Sequence, residues 1–285
     1  MNNIYWLASY PKSGNTWTRV FLSNYLSGSS EPADINNIET DTIASSRRLF
    51  DDRIGLASSD MNEKTINNYR PMLYEMLAEN AKQTLFMKAH DAYTFNINGK
   101  PVFSKKATKG VIYIIRNPLD VAVSYAYHSN KMVDKYIKVI CDENHVMASM
   151  NKSLLRQLPQ LILSWSSHVR SWVDSGLAVH VMRYEDMIMN PYSAFKKTLM
   201  FAGIEINEKQ LIRAIKFSSF GDLKNQELQS GFKEKAPQTA SFFRKGKIGS
   251  YKDELTLQQI DEIVSYNQIE MKKFGYLDKN GKLVF

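Results

Sequence analysis

An α/β fold of P-loop-like kind, a single domain with a central parallel sheet flanked by helices, is predicted by three observations. The runs "IYWLAS", "GVIYIIR" and "LAVHVMRY" have the length and apolar content of strands covered on both faces. Each is followed by a segment with helical spacing and a recognisable start or stop signal. A chain of 285 residues that is 44% hydrophobic can bury a full core, and one large domain is favoured over two. Strands alternating with helices imply right-handed crossovers, which gather ligand sites at the carboxyl ends of the strands.

The first strand, "IYWLAS", runs into a loop and then "TWTRVFLSNYLSG", where Trp17, Val20, Phe21 and Tyr25 share one helical face and Gly28 ends the helix. Residues 29 to about 62 are polar and irregular, longer than most connections, as expected of acceptor-binding or mobile structure. A helix is expected over 71–81 with Pro71 in its first turn, then a short strand "TLFMKAH" and an Asn98-Gly99 hairpin turn. "GVIYIIR" leads into "NPLDVAVSYAYHSNKM", a helix with Pro118 at its first position. After a second polar insertion, "RQLPQLILSWSSHVRSWVDSG" reads as one long helix closed by Gly176, "LAVHVMRY" as a buried strand, and "NPYSAFKKTLMFAG" as a further helix. Lys12, His90, Arg116 and Tyr184 all fall at or just beyond strand ends.

With 37 Lys and Arg against 29 Asp and Glu, the net charge of +8 suits an anionic ligand, a nucleic acid or a membrane surface equally well. The only cysteine, Cys141, excludes an internal disulfide and fits a reducing cytoplasm, where it reads as a small core residue. No apolar run approaches the roughly 18 to 20 residues of a membrane span, and no leader pattern precedes the first strand.

The chemistry is concentrated in "SYPKSGNTW". A Walker A loop places its lysine after the second glycine, where it reaches the outer phosphates of a nucleotide. Here Ser9 and Gly14 take the glycine positions, Asn15 takes the lysine position and Thr16 the hydroxyl position, while the lysine has moved into the loop as Lys12. The strand "VIYII" ends in Arg116 instead of a metal-binding Asp. Both departures disfavour metal-dependent phosphoryl transfer. A sulfuryl group carries less charge, so its transfer could be managed by protein cations alone, with Lys12 on the bridging oxygen.

"YPKSGNTW" from Tyr10 to Trp17 matches the loop Y-P-K-S-G-[TN]-T-W, and the chain resembles the cytosolic-type sulfotransferases that use 3′-phosphoadenosine 5′-phosphosulfate, PAPS. "KAH" from Lys88 is similar to the family's K-T-H, whose His is the catalytic base. "RNPLDVAVSYAYH" from Arg116 resembles the signature whose Arg and Ser, here Arg116 and Ser124, bind the 3′-phosphate. "WSSHVRSW" resembles a recurrent helix, "YED" the segment whose Tyr, here Tyr184, lies near adenine, and "SSF" from Ser218 to Phe220 the T-S-F element at the purine. "FFRKGKIG" resembles F-x-R-K-G-x-x-G, placing Arg244, Lys245 and Gly246 at the 3′-phosphate. The resemblance spans Tyr10 to about Asp261. Tyr251 stands where the family usually has Trp, and regions 29–70 and 129–155 match nothing, which leaves acceptor choice to them.

The resemblance implies direct in-line transfer of the sulfuryl group from PAPS to a hydroxyl of a small-molecule acceptor, with no metal required. His90 would be the base and Lys12 would stabilise the leaving oxygen. Lys88, open to a role on the sulfuryl group or to simple snorkelling, and Ser124 complete the expected catalytic set. The amides of Ser13, Gly14, Asn15 and Thr16 would hold the 5′-phosphate. Trp17, Phe220 and Phe242 could stack on adenine or pack in the core. Asp186 reads as a helix N-cap, and His128, His145, His168 and His180 as structural. The alternatives are a P-loop kinase acting on a small molecule, supported only by the loop's shape, and a basic nucleic-acid-binding module, disfavoured because the informative cations sit at separate strand ends. Finally, "KDELTLQQID" is similar to the family's dimerising segment K-x-x-x-T-V-x-x-x-E. It supports a weak homodimer, or else an N-cap at Thr256 of a last helix whose Leu257, Ile260, Ile263 and Val264 pack on the core.

Overall fold

The strand with the longest apolar run organises the sheet. In the computed structural model, which describes residues 2–38, 40, 42–149 and 154–285, four parallel strands pair in the order β2-β1-β3-β6: β1 Ile4–Ser9, β2 Leu85–Ala89, β3 Thr108–Ile115 and β6 Val179–Arg183. Side chains alternate between the faces of a strand. Ile4, Trp6 and Ala8 therefore join Val111, Tyr113 and Ile115 in one core, while Tyr5 and Leu7 join Ile112, Ile114 and Met182 in the other. Trp6 is fully buried, edge-on to Tyr74 and Phe103 at 4.9 Å each, and its indole donates to Thr108 Oγ1 at 2.8 Å. Such a side chain contributes about 1.5 to 3 kcal/mol by burial alone.

Helices cover both faces: α1 Asn15–Ser27, α2 Arg47–Ile54, α3 Glu63–Asn80, α4 Pro118–Ser129, α5 Val133–Ile140, α6 Trp165–Val173, α7 Tyr184–Met189, α8 Pro191–Phe201, α9 Glu208–Phe217, α10 Phe220–Ser230 and α11 Leu257–Lys273. A two-residue antiparallel ladder joins β4 Val146–Met147 to β5 Gln160–Leu161. Gly28 ends α1 in the left-handed conformation, and Pro118 opens α4, both as the sequence predicts.

Several elements differ from the sequence expectation. The helix expected to start at Pro71 begins at Glu63, capped by Asn62, so Pro71 lies inside it. Proline leaves the carbonyl four residues back without its usual donor, and Asn96 Nδ2 reaches the Asn67 carbonyl at 3.4 Å. The long helix expected from Arg156 is confined to α6. Ser164 caps it, Pro159 interrupts the segment before it, and that segment runs extended, with Leu158 N–H on Ser45 O and Arg47 N–H on Arg156 O. The strand "LAVHVMRY" is a half-exposed edge strand instead of a buried one, because β6 has a neighbour on one side only. The hairpin turn is a three-residue loop over 97–99, with Gly99 at φ 70° donating to Asn96 O, instead of a two-residue Asn-Gly turn.

The insertion at 29–70 is only partly irregular, since it carries α2, a 3-10 turn at Ser58–Asp60 and the start of α3. Its residues Thr42 and Ala44 exchange main-chain hydrogen bonds with Lys88, which lays this segment along the carboxyl end of β2. Of the insertion 129–155, residues 150–153 lie outside the described residues, and the part before them holds α5 and β4. Asp186, expected as an N-cap, lies in the first turn of α7, where Arg183 is the cap residue and no side chain caps.

Candidate active site

The loop between β1 and α1 is shaped by two left-handed residues, Lys12 at φ 69° and Gly14 at φ 105°. Gly14 is required twice over, because a Cβ there would lie 2.8 Å from the Tyr184 ring. As the N-cap of α1 it supplies no side-chain acceptor, and first-turn amides have no intrahelical partner, so they form an anion-binding mouth. Asn15 turns inward, its Nδ2 donating to Leu7 O at 2.7 Å and Ser9 Oγ at 3.1 Å. It fastens the helix to the strand and projects nothing to where a Walker lysine would reach. The buried Ser13 hydroxyl has no partner among the described residues.

Around Lys12 the structure gathers the reactive groups. Its ammonium stands 4.2 Å from the centroid of the Phe242 ring. Burial first, then the charges of Lys88 and Arg116, lower its pKa to about 7, against an opposing pull from Glu234 and Glu227. His90 places Nδ1 2.8 Å from the Ser9 carbonyl. A carbonyl can only accept, so Nδ1 carries the proton and Nε2 keeps its lone pair. Burial and then the nearby Lys88 charge lower the His90 pKa to about 3, which keeps the ring neutral. Behind it, His168 Nε2 donates to the His90 carbonyl at 3.0 Å and its Nδ1 accepts from the Tyr113 hydroxyl at 2.8 Å, fixing the chain at this strand end.

Two members of this group were not singled out from the sequence. Glu234 receives Lys88 Nζ at 2.9 Å and Arg19 NH1 at 2.6 Å. Burial pushes its carboxyl up, but the two cations outweigh that and hold it well below the usual carboxylate range. His128, read as structural, sets its ring edge-on to Phe242 at 5.8 Å. Burial, then Lys12 and Lys88, lower its pKa to about 4. Nothing local marks Glu234, which arrives from a distant segment, whereas His128 closes the run "RNPLDVAVSYAYH" and that position was the signal available.

A second group assembles around Arg116 at the end of β3. Its guanidinium lies 4.2 Å from the Tyr184 ring centroid, and NH1 donates to Lys12 O at 3.2 Å, while its buried Nε has no partner among the described residues. Trp17 meets Tyr184 edge-on at 5.8 Å. Asp120, on the first turn of α4, accepts from Gly249 N–H at 2.9 Å and Tyr251 N–H at 3.1 Å, docking the glycine-rich loop beside Arg116. In that loop Gly246 has φ 59°, and a Cβ there would come within 2.3 Å of the Phe220 ring, so loop and ring are in direct contact.

Arg244 lies 4.5 Å from the Tyr127 ring centroid, on the α4 face that also carries Ser124 one turn earlier. This sets Ser124 on the helix face that Arg244 approaches. Both Arg244 and Lys245 contact Glu254: Arg244 NH2 lies 2.8 Å from each carboxylate oxygen, and Lys245 Nζ lies 2.7 Å from Oε1. Phe242 sits at the Lys12 end of the site, apart from the Trp17–Tyr184 pair, and Ser218 is buried with its hydroxyl donating to Ala214 O of its own helix. Among the described residues no cluster of His, Cys, Asp and Glu is arranged to hold a metal ion.

These residues fit an anionic nucleotide. Unpartnered buried donors at Ser13 and Arg116, a bare helix N-terminus and the flanking rings of Trp17, Tyr184 and Phe220 gather beyond the carboxyl ends of the central strands. Comparison with known proteins agrees with that chemistry. The family model described as "Sulfotransferase domain" matches residues 3–275. The chain is 26% identical over 276 residues to the 3-beta-hydroxysteroid sulfotransferase of Cavia porcellus, covering 95% of this chain and 84% of that protein. It is 25% identical to the luciferin sulfotransferase of Photinus pyralis, covering 89% and 68%. Its fold is similar to that of a mouse sulfotransferase complexed with PAP, with a TM-score of 0.58 at 21% identity over 95% of this chain and 84% of that one. It is also similar to a retinol dehydratase in a complex with retinol and PAP, with a TM-score of 0.62 at 17% identity over 95% and 82%.

Proposed function

We propose, from the premise that this chain belongs to the sulfotransferase domain family, the following assignment of roles within its site. The enzyme transfers a sulfuryl group from PAPS to a hydroxyl of a small-molecule acceptor. When bound, PAPS supplies an activated sulfuryl group and leaves as the 3′,5′-bisphosphate, PAP. The observation that carries the assignment is the contact of His90 Nδ1 with Ser9 O, which leaves the lone pair of a neutral ring on Nε2, in a group where the charge of Lys88 acts on both His90 and Lys12.

His90 Nε2 takes the proton of the attacking hydroxyl, and Lys12 sets a cation where negative charge grows on the leaving oxygen. The amides of Ser13 to Thr16 hold the 5′-phosphate at the helix N-terminus. Arg116, Ser124, Arg244, Lys245 and Gly246 hold the 3′-phosphate, for which the planar guanidinium is suited. Trp17, Tyr184 and Phe220 form the walls of the base site, with Ser218 behind them, and Phe242 covers Lys12. Glu234 keeps Lys88 paired at the acceptor side. Acceptor choice is assigned to 29–70, whose residues 42–44 lie along β2 next to Lys88, and to 129–155.

The test is turnover with labelled PAPS across a panel of phenols, alcohols and natural products, followed by His90→Ala and Lys12→Ala on the best acceptor. Both variants should lose most turnover. His90→Ala should keep its PAP affinity, because the base touches the acceptor and not the nucleotide, whereas Lys12→Ala should weaken it modestly. Near-normal turnover in His90→Ala removes that residue from its role.

A cytoplasmic location belongs to the same proposal and rests on cysteine usage, the single Cys141 permitting no internal disulfide. Fractionation of expressing cells checks it. We also assign to the segment Lys252–Asp261 a weak two-fold contact between copies: Thr256 caps the last helix and Ile260, Ile263 and Val264 pack on the core as the simpler reading of the sequence has it, but Leu257 is 81% exposed and supports the contact.

A further inference from the structure

Glu254 stands out because, among the described residues, it is the one carboxylate that contacts both Arg244 and Lys245, the two loop cations assigned above to the 3′-phosphate. Neither the family motif nor local spacing accounts for it. It lies in the stretch "KDEL", just after the 3-10 turn Ser250–Asp253. Arg244 directs NH2 at both of its oxygens, at 2.8 Å each, and Lys245 directs Nζ at Oε1, at 2.7 Å. All three side chains are about one-quarter to one-third exposed, so a ligand can reach this cluster without unfolding the loop. The arrangement resembles a bound anion held by one guanidinium nitrogen and a Lys, with the anion supplied by the chain itself.

We propose that Glu254 is an internal competitor for the 3′-phosphate: it occupies donors of Arg244 and Lys245 that a phosphate would use, so nucleotide binding at this end of the site is an exchange of carboxylate for phosphate. The inference rests on the assignment of Arg244 and Lys245 to that phosphate. Its physical basis is charge. A phosphate brought onto the two cations meets a carboxylate already within hydrogen-bonding distance of both, and two anions on one pair of cations repel. The carboxylate also keeps two adjacent cations from repelling each other when no phosphate is near. Glu254 would thereby hold the loop in a bound-like shape, weaken the hold on the product PAP and favour its release. A nucleotide without a 3′-phosphate leaves the carboxylate in place and is indifferent to it.

The experiment is calorimetric titration of the intact protein and of Glu254→Gln with PAP and with adenosine 5′-phosphate, which lacks the 3′-phosphate. Glu254→Gln keeps the size of the side chain and removes its charge. The expected result is that Glu254→Gln binds PAP about tenfold more tightly, leaves affinity for adenosine 5′-phosphate unchanged, and is inhibited by product at correspondingly lower concentration. Unchanged or weaker PAP binding, with adenosine 5′-phosphate unaffected, overturns the competition and makes Glu254 a support that orients the cations. A loss for both nucleotides also overturns it, since the carboxylate then only holds the loop. If the unaltered protein binds PAP no better than adenosine 5′-phosphate, the assignment of the 3′-phosphate site fails first and takes this inference with it. Discrimination in the unaltered protein without a gain in the variant removes the inference alone.

Discussion

At the residue scale, the division of labour between Lys12 and His90 follows from what burial does to each. Burial disfavours charge on both, but the two roles need opposite protonation states. His90 must be neutral to accept a proton, and a pKa of about 3 keeps it so throughout the neutral range. Lys12 must be cationic, and a pKa lowered to about 7 means that it is charged below that value and loses its charge above it. The pH profile of kcat/KM for the donor reports groups of the free enzyme. It should therefore be flat from about pH 5 to 6.5 and fall above about 7, with no acid limb from His90 in that window. Lys12→Arg, whose guanidinium stays charged, should lose the alkaline fall even if its rate is lower. A fall of the same midpoint in Lys12→Arg would assign it to another group.

At the element scale, the site depends on how the glycine-rich loop is fastened to α4. Asp120 is buried and accepts from the main chain at Gly249 and Tyr251, so one carboxylate sets the height of the loop above Arg116. Truncation to Ala leaves two amides without their acceptor and a guanidinium without its neighbour at 3.8 Å. Asp120→Ala should lower stability by about 2 to 4 kcal/mol and weaken PAP binding together with it. Denaturant midpoints and titration on the same preparation check both. Asp120→Asn, which can still offer one carbonyl oxygen, should recover part of the loss. Stability unchanged in Asp120→Ala would mean that the loop is held by its other contacts, such as the hydrogen bonds from Phe242 and Phe243 N–H to Glu227.

At the scale of the whole molecule, four parallel strands bring Lys12, His90, Arg116 and Tyr184 to the carboxyl end of one sheet. The start of α11, three residues beyond Glu254, presents Leu257 to solvent on a helix closed by a capping box from Thr256 and Gln259. An interface confined to so short a segment buries less than the roughly 1,200 Å² of a standard stable contact, so a dimer through it should be concentration-dependent. Sedimentation across a wide dilution range should show monomer passing to dimer, with Leu257→Glu remaining monomeric. A mass fixed at the monomer at the highest concentration excludes the contact, and a dimer indifferent to Leu257→Glu places it elsewhere.

The strands, the loop glycines and the residues just beyond the strand ends were legible in the sequence because each is set by local physics. Apolar runs must be covered, φ above zero selects Gly14 and Gly246, and a residue following a buried strand emerges at the sheet's edge. The resemblance of "YPKSGNTW" and "FFRKGKIG" to known loops then supplied the chemistry those positions carry. Helix limits around Pro71 and Pro159 were not legible. Whether a proline interrupts a helix depends on what satisfies the carbonyl it leaves free, and at Asn67 that is Asn96, from another element. The acidic partners were hidden for the same reason. Glu234 and Glu254 look like ordinary surface charge in the chain, Asp120 stands in the quoted run "RNPLDVAVSYAYH" without a role read from it, and only the fold brings the three against Lys88, Arg244, Lys245 and two loop amides. A sequence specifies which groups are present and their local conformation, whereas the pairing of buried charges is decided by which distant segments the core packs together.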